Sequence, residues 1–294
     1  MTEDAPERVE LRTGETTLSL VPALGGGVAA FRWRGQDLLR PATDESLRAA
    51  DPLGLGAFPL VPFAGRIVGG RFQFDERRVE LPANLDGEAA AIHGQGWRRP
   101  WRVEACSAAS ARLAFDHAAG AWPWDYRAEQ LFELEDGLLI SRLAVTNTSP
   151  RPMPAGLGLH PYFPRDADTR LEARVGGVFM TPDGPPAPLP VAWDWRSGPT
   201  LTAFVDHQFS GWAGAARVIW PSRGLTATLT AEPATPYLVV FAPTGGDYVC
   251  VEPVSHQLDA VNHSPGGADH GMRVLTEGET ASLVMRLTLA MHKT

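Results

Sequence analysis

The chain reads as an all-β protein built from many short antiparallel strands. Apolar and polar residues alternate with period two from end to end, no sustained helical periodicity appears, and turn residues are abundant. Thirty glycines and twenty-six prolines make up about 19% of the 294 residues, against an average near 12%. Frequent tight turns between strands account for that excess, and they favour a sandwich or barrel over alternating βα units.

Taken in order, residues 17–21 form the first clear strand and 72–74 and 112–115 follow. The one helix candidate, 44–50, is at most two turns long and is stopped by Asp51-Pro52, because proline disfavours helical backbone in the residue before it. Leu131-Phe132-Glu133-Leu134-Glu135 faces Leu138-Leu139-Ile140-Ser141-Arg142-Leu143 across Asp136-Gly137, a strong hairpin signal. The run Pro182-Asp183-Gly184-Pro185-Pro186-Ala187-Pro188-Leu189-Pro190 has too many prolines to join a ladder and reads as a stiff surface loop at a pocket rim. Strands are expected again at 217–220, 237–241 and 248–251. After the turn Pro221-Ser222-Arg223-Gly224, Leu225, Ala227 and Leu229 point one way and Thr226, Thr228 and Thr230 the other. Leu283, Met285, Leu287, Leu289 and Met291 repeat the pattern near the C-terminus. No linker, charge run or internal repeat divides the sequence, so 1–294 reads as a single domain.

The balance of 26 basic and 34 acidic side chains gives a net charge of −8, which argues against a nucleic-acid or anionic-membrane partner. No apolar run is long enough to span a bilayer, and the acidic start Met1-Thr2-Glu3-Asp4 is unlike a secretory leader, so a cytoplasmic location is expected. Cys106 and Cys250 are too few for a disulfide framework or a cysteine-built zinc site, and they read as two buried thiols. His256, His263 and His270 recur every seven residues, but Pro265-Gly266-Gly267 breaks any helix that would align them on a metal. No metal or cofactor is expected.

Ionisable groups beside backbone punctuation are the candidates for chemistry. His160 lies in Gly156-Leu157-Gly158-Leu159-His160-Pro161-Tyr162-Phe163, where Pro161 holds it extended and the glycines admit a close neighbour. Glu252 ends the apolar run Tyr248-Val249-Cys250-Val251; a carboxylate there is either exposed at the sheet edge, which its residue type favours, or buried with partners, and partial burial would make it a better base. Arg66 stands among small turn residues and His93 just before Gly94, while Asp206-His207 offers a second carboxylate. Each alone is as readily a packed or solvated structural residue as a functional one.

In order, the words Phe58-Pro59-Leu60-Val61-Pro62-Phe63-Ala64-Gly65-Arg66-Ile67, Ile92-His93-Gly94-Gln95-Gly96-Trp97, Gly158-Leu159-His160-Pro161-Tyr162-Phe163, Asp206-His207-Gln208-Phe209 and Val251-Glu252-Pro253 resemble those of the aldose 1-epimerase, or galactose mutarotase-like, family. Asp259-Ala260-Val261-Asn262 and Gly271-Met272-Arg273-Val274-Leu275 extend the resemblance over nearly the whole chain. It implies an antiparallel β-supersandwich with a free sugar in an open cleft. His160 would protonate the ring oxygen, Glu252 would accept the anomeric hydroxyl proton, and Arg66, His93 and Asp206 would hold the sugar. Ala64-Gly65 replaces the Ser-Asn pair usual before this arginine, which implies an altered hydroxyl preference or a wider cleft. Three other functions stay open: a hexose-6-phosphate epimerase using Arg98, Arg99 or Arg102, a non-catalytic sugar-binding domain, and a glycoside hydrolase using Asp206 with Glu252.

Overall fold

The computed structural model describes residues 6–182, 184–263 and 270–291. Two large antiparallel sheets dominate, and together they form a β-supersandwich. The ten-stranded sheet runs in the order Val9–Thr13, Thr16–Val21, Gly27–Trp33, Ala57–Leu60, Gly158–Pro164, Tyr248–Val254, Tyr237–Ala242, Val205–Ser210 and Gly177–Val178, with Gln36–Asp37 paired to Gly27–Trp33. The eight-stranded sheet runs Arg170–Ala173, Ala215–Trp220, Leu225–Glu232, Thr280–Met291, Leu138–Asn147, Tyr126–Glu135, Ser110–His117 and Arg102–Cys106.

Alternation sorts the side chains. In the Gly158–Pro164 strand, Leu159 and Phe163 enter the core between the sheets, and Tyr162 joins a separate buried layer on the outer face. The Tyr248–Val254 strand does the same, sending Val249 and Val251 to the core and Cys250 and Val254 to the outer layer. The centre of the large sheet is therefore covered on both faces. That second covering creates a dry floor for a cleft.

The expected strands are present with ends shifted by a residue or more, and the helix is shorter, Asp44–Arg48, capped by Thr43. The Asp136-Gly137 hairpin pairs Glu135 with Leu138, and the Asp136 carboxylate accepts hydrogen bonds from Glu15 N and Thr16 Oγ1 in the other sheet, each at 3.0 Å. The proline-rich run does contribute to pairing: Ala187, one of its non-proline residues, exchanges two backbone hydrogen bonds with Val178. Residue 183 of that run, and 265–267 between the later histidines, lie outside the described residues.

The cysteine expectation needs correction. Cys250 is fully buried, but Cys106 is exposed, because the Arg102–Cys106 strand forms an uncovered sheet edge. Long charged side chains on this strand, Arg102 and Glu104, protect that edge.

Leu287 lies fully buried between Leu139 and Leu229 at the middle of the eight-stranded sheet. Leu287→Ala is expected to cost about 2–5 kcal/mol in urea denaturation. Thr288→Ala, one residue along on the exposed face, should fall within about 0.5 kcal/mol of wild type.

Candidate active site

Register brings His160 and Glu252 together. His160 pairs with Phe58 on one side, and Val239, itself paired with Gln208, pairs with Glu252 on the other. Between the Gly158↔Val254 and Tyr162↔Cys250 pairs, His160 falls opposite Glu252. Phe58, His160, Glu252, Val239 and Gln208 thus form one row across five strands. Paired residues share a face, so the row presents both ionisable groups to the same side.

His160 Nε2 lies 3.2 Å from Glu252 Oε1, with the residues only 7% and 2% exposed. The solvated edge position that residue type suggests for Glu252 is overturned by register, which places its strand mid-sheet. Burial drives the Glu252 carboxyl well above its ordinary range, the Asp206 charge pushes the same way, and Arg66 opposes them. Burial holds His160 down to about 3, with the Arg40 cation acting in the same direction. Both shifts disfavour charge, so with one proton shared between them the uncharged arrangement, Glu252 protonated and His160 neutral, is favoured over the ion pair. Moving that proton along the 3.2 Å contact converts a neutral pair into a carboxylate and an imidazolium.

The pair lies in a cleft of about 360 Å³ that Arg66, His93 and Asp206 also line. All five expected site residues therefore meet in one place. Arg66 is not a freely solvated loop cation: its Nε and Nη2 donate to the two Glu88 oxygens at 2.8 and 2.6 Å. That fork fixes the guanidinium plane and raises Arg66 further, with Asp206 and Glu252 also favouring its charge. Asp206 is exposed on the Val205–Ser210 strand, opposite Phe241.

His93 adopts φ of +61°, a conformation uncommon for residues other than glycine. Its backbone N–H donates to Gly65 O at 2.9 Å, and its Nδ1 accepts from Gly65 N at 3.1 Å. Asn84 braces both flanks: its Nδ2 donates to Ile92 O and Gly94 O, and its Oδ1 accepts from Ile92 N. Burial, then His160 and Arg66, push His93 well below its ordinary value, so the ring is neutral. With Nδ1 accepting, the proton resides on Nε2, which makes His93 a hydrogen-bond donor.

The Ala64-Gly65 departure has a concrete outcome. A side chain at 65 would begin 2.4 Å from Leu258 Cδ1. Leu258 therefore fills that part of the wall with apolar surface, and the cleft is not widened there.

Behind the site, His256 is structural. Its Nε2 accepts from Ala64 N at 3.0 Å and its Nδ1 donates to Gln257 O at 2.7 Å, while burial holds it down to about 4. Gly156 makes room for this ring, since a Cβ there would lie 2.0 Å from His256 Cδ2. A side chain, rather than a ligand, occupies the space this glycine leaves. His263 and His270 engage Pro182 O and the Gln257 side chain. Gln208 secures the same segment by donating to His256 O and accepting from Leu258 N.

Cys250 Sγ, a His160 ring nitrogen and a Glu252 oxygen lie within 4.8 Å of one another. Burial pushes the Cys250 thiol well up, with the Glu252 charge acting in the same direction. Arg98 stacks over Trp97 at 5.0 Å, and Arg99 and Arg102 line a different cavity beside His117 and Trp122. Sequence reasoning missed Glu88 and Asn84. Neither carried a local signal, because their importance comes from the backbone and guanidinium they hold.

The family model for aldose 1-epimerase matches residues 7–288. The uncharacterized protein YphB of Escherichia coli K12 is 32% identical over 89% of this chain and 92% of its own length. A crystal structure from Escherichia coli K12, described provisionally as an aldose 1-epimerase, superposes with a TM-score of 0.88 at 29% identity, covering 97% of this chain and 99% of that one. Galactose 1-epimerase from Lactobacillus acidophilus shares the fold at a TM-score of 0.76 and 17% identity, over 96% and 93% of the two chains. The chain belongs to the aldose 1-epimerase family. Among the described residues no helix is long and apolar enough to cross a membrane.

Because the folded pKa of Glu252 is raised, its stabilising contribution is complete below the ordinary carboxyl value of 4.5 and is lost as pH rises through the folded value. Glu252→Gln removes that loss. The variant should gain melting temperature relative to wild type as pH rises above the ordinary carboxyl value, and a constant difference in calorimetry would refute the assignment. Gly156→Ala, which displaces His256, is expected to cost about 1–3 kcal/mol in denaturant titration.

Proposed function

We propose that the chain, acting as one sugar-binding unit, is a cofactor-independent aldose 1-epimerase that interconverts the α and β anomers of a free aldohexose. The observation that carries this reading is the buried contact of 3.2 Å between His160 and Glu252 on the cleft floor. The anomeric oxygen O1 and the ring oxygen O5 are both bonded to C1. An acid and a base serving them must therefore converge on adjacent atoms.

In the forward direction Glu252, as carboxylate, takes the O1 proton while His160, as imidazolium, gives a proton to O5. The C1–O5 bond breaks and C1–O1 becomes a carbonyl. Rotation about C1–C2 presents the other carbonyl face. His160 then recovers the O5 proton, Glu252 returns a proton to O1, and the opposite anomer closes. The cycle is neutral in protons, as the single shared proton of the pair requires. A bound sugar donates O1–H to Glu252 and accepts at O5 from His160, which favours the charged tautomer. Arg66, fixed by Glu88, and the His93 Nε2 donor supply positions for hydroxyls, with Asp206 as an acceptor.

The phosphorylated-sugar reading lacks a suitable cation. Arg66 is the one Arg or Lys lining the cleft among the described residues, and Glu88 already neutralises it. The hydrolase reading leaves His160, the residue in contact with Glu252, without a role. A binding-only cleft gains nothing from burying two ionisable groups at the cost of their desolvation.

Glu252→Gln and His160→Ala are each expected to slow anomer exchange by at least about 100-fold with the fold intact. Exchange NMR or polarimetry on freshly dissolved aldoses measures this, and near-wild-type rates in either variant would sink the assignment. A kcat/KM for glucose 6-phosphate above that for glucose would replace the free-sugar reading.

A further inference from the structure

We propose that Arg40 is a positioning residue for His160, acting through Tyr162 from outside the cleft; the proposal rests on the epimerase reading above. A histidine acting as acid or base is usually oriented by a hydrogen bond to its second ring nitrogen. Here Nδ1 of His160 is buried and, among the described residues, no other residue hydrogen-bonds to it. Aromatic stacking is what fixes the ring. Phe58 lies 4.6 Å from it at an interplanar angle of 32°, and Tyr162 lies 4.7 Å away at 18°.

Tyr162 is in turn held by Arg40. The guanidinium carbon sits 4.3 Å from the Tyr162 ring centre and 4.6 Å from that of Tyr248, so the cation is shared between two tyrosines. The Arg40 backbone N–H donates to Tyr162 O at 2.8 Å. Its Nη2 donates to Leu53 O and, at 3.2 Å, to Leu55 O. No carboxylate among the described residues forms an ion pair with Arg40. Phe58, His160, Tyr162 and Arg40 therefore form a continuous stack, with Tyr248 as a second ring against the uncompensated cation.

The charged and titratable groups around His160 are Glu252 and the Cys250 thiol on the neighbouring strand, His93 with its ring 5.4 Å away, Arg66 and Asp206 in the cleft, and Tyr162 on its own strand. Arg40 opposes protonation of His160, and so favours its delivery of a proton to substrate. The stack thus sets the imidazole's angle, and the Arg40 charge within it sharpens the acid.

Arg40→Met and Arg40→Lys separate the two contributions. Arg40→Met is expected to lower kcat by about 10- to 100-fold, to leave KM within about twofold of wild type, and to move the acidic limb of the kcat profile to higher pH. Arg40→Lys keeps the charge without the planar fork, so its acidic limb should stay near wild type while kcat remains reduced. A wild-type kcat in Arg40→Met overturns the proposal, as does a reduced kcat with an unmoved limb. The His160 Cε1–H proton resonance, assigned by its loss in His160→Ala, adds a readout that needs no turnover. It should shift in Arg40→Met, and an unmoved resonance overturns the proposal. If wild-type protein epimerises no aldose, the functional reading fails while the resonance still decides the role of Arg40.

Discussion

Everything in this cleft depends on an acid and a base sharing one proton in a dry place. Water would solvate a free carboxylate and a free imidazolium separately and remove any reason for them to cooperate. Burial makes either charge alone costly, so the two groups balance each other. The fold meets this condition with a row across five neighbouring strands, where cross-strand pairing fixes which side chains touch. The packed core beneath it leaves the row little freedom to deform. A second apolar layer, with Phe58, Trp97 and Tyr162, excludes water from above.

Sheet and loops divide the work. Strands supply the pair itself, at a separation set by backbone geometry. The Val205–Ser210 strand carries Asp206, while loops supply Arg66 and His93 and brace them: Glu88 holds Arg66, Asn84 and Gly65 hold His93, and His256 holds the turn at Ala64. The left-handed backbone at His93 costs of order 1–3 kcal/mol, and five hydrogen bonds from two directions hold it there. Such bracing suits the proposed epimerase reaction, in which both anomers are recognised without rearrangement.

Much of this was legible in the sequence, for specific reasons. Alternation is local, so the strands and the Asp136-Gly137 hairpin could be read directly. The convergence of His160 and Glu252 could not, because it depends on pairing between segments about ninety residues apart. Only the resemblance of ordered words to a family supplied that link. Glu88 was invisible because a glutamate in a polar stretch looks solvated until its arginine partner is placed beside it. Arg40 was hidden for a similar reason, since its partners are aromatic faces from two other strands. Cys106 was misread because edge position is a property of sheet order, which no local window contains.

That exposed thiol has a practical side. Cys106 lies open on an edge strand and Cys250 is sealed within the outer layer, so the folded chain offers a thiol-selective reagent one sulfhydryl and the unfolded chain two. Labelling stoichiometry, read by mass, therefore counts open molecules directly. Since Cys250 lies opposite Tyr162 and two residues from Glu252, the second label reports the opening of the cleft floor in particular.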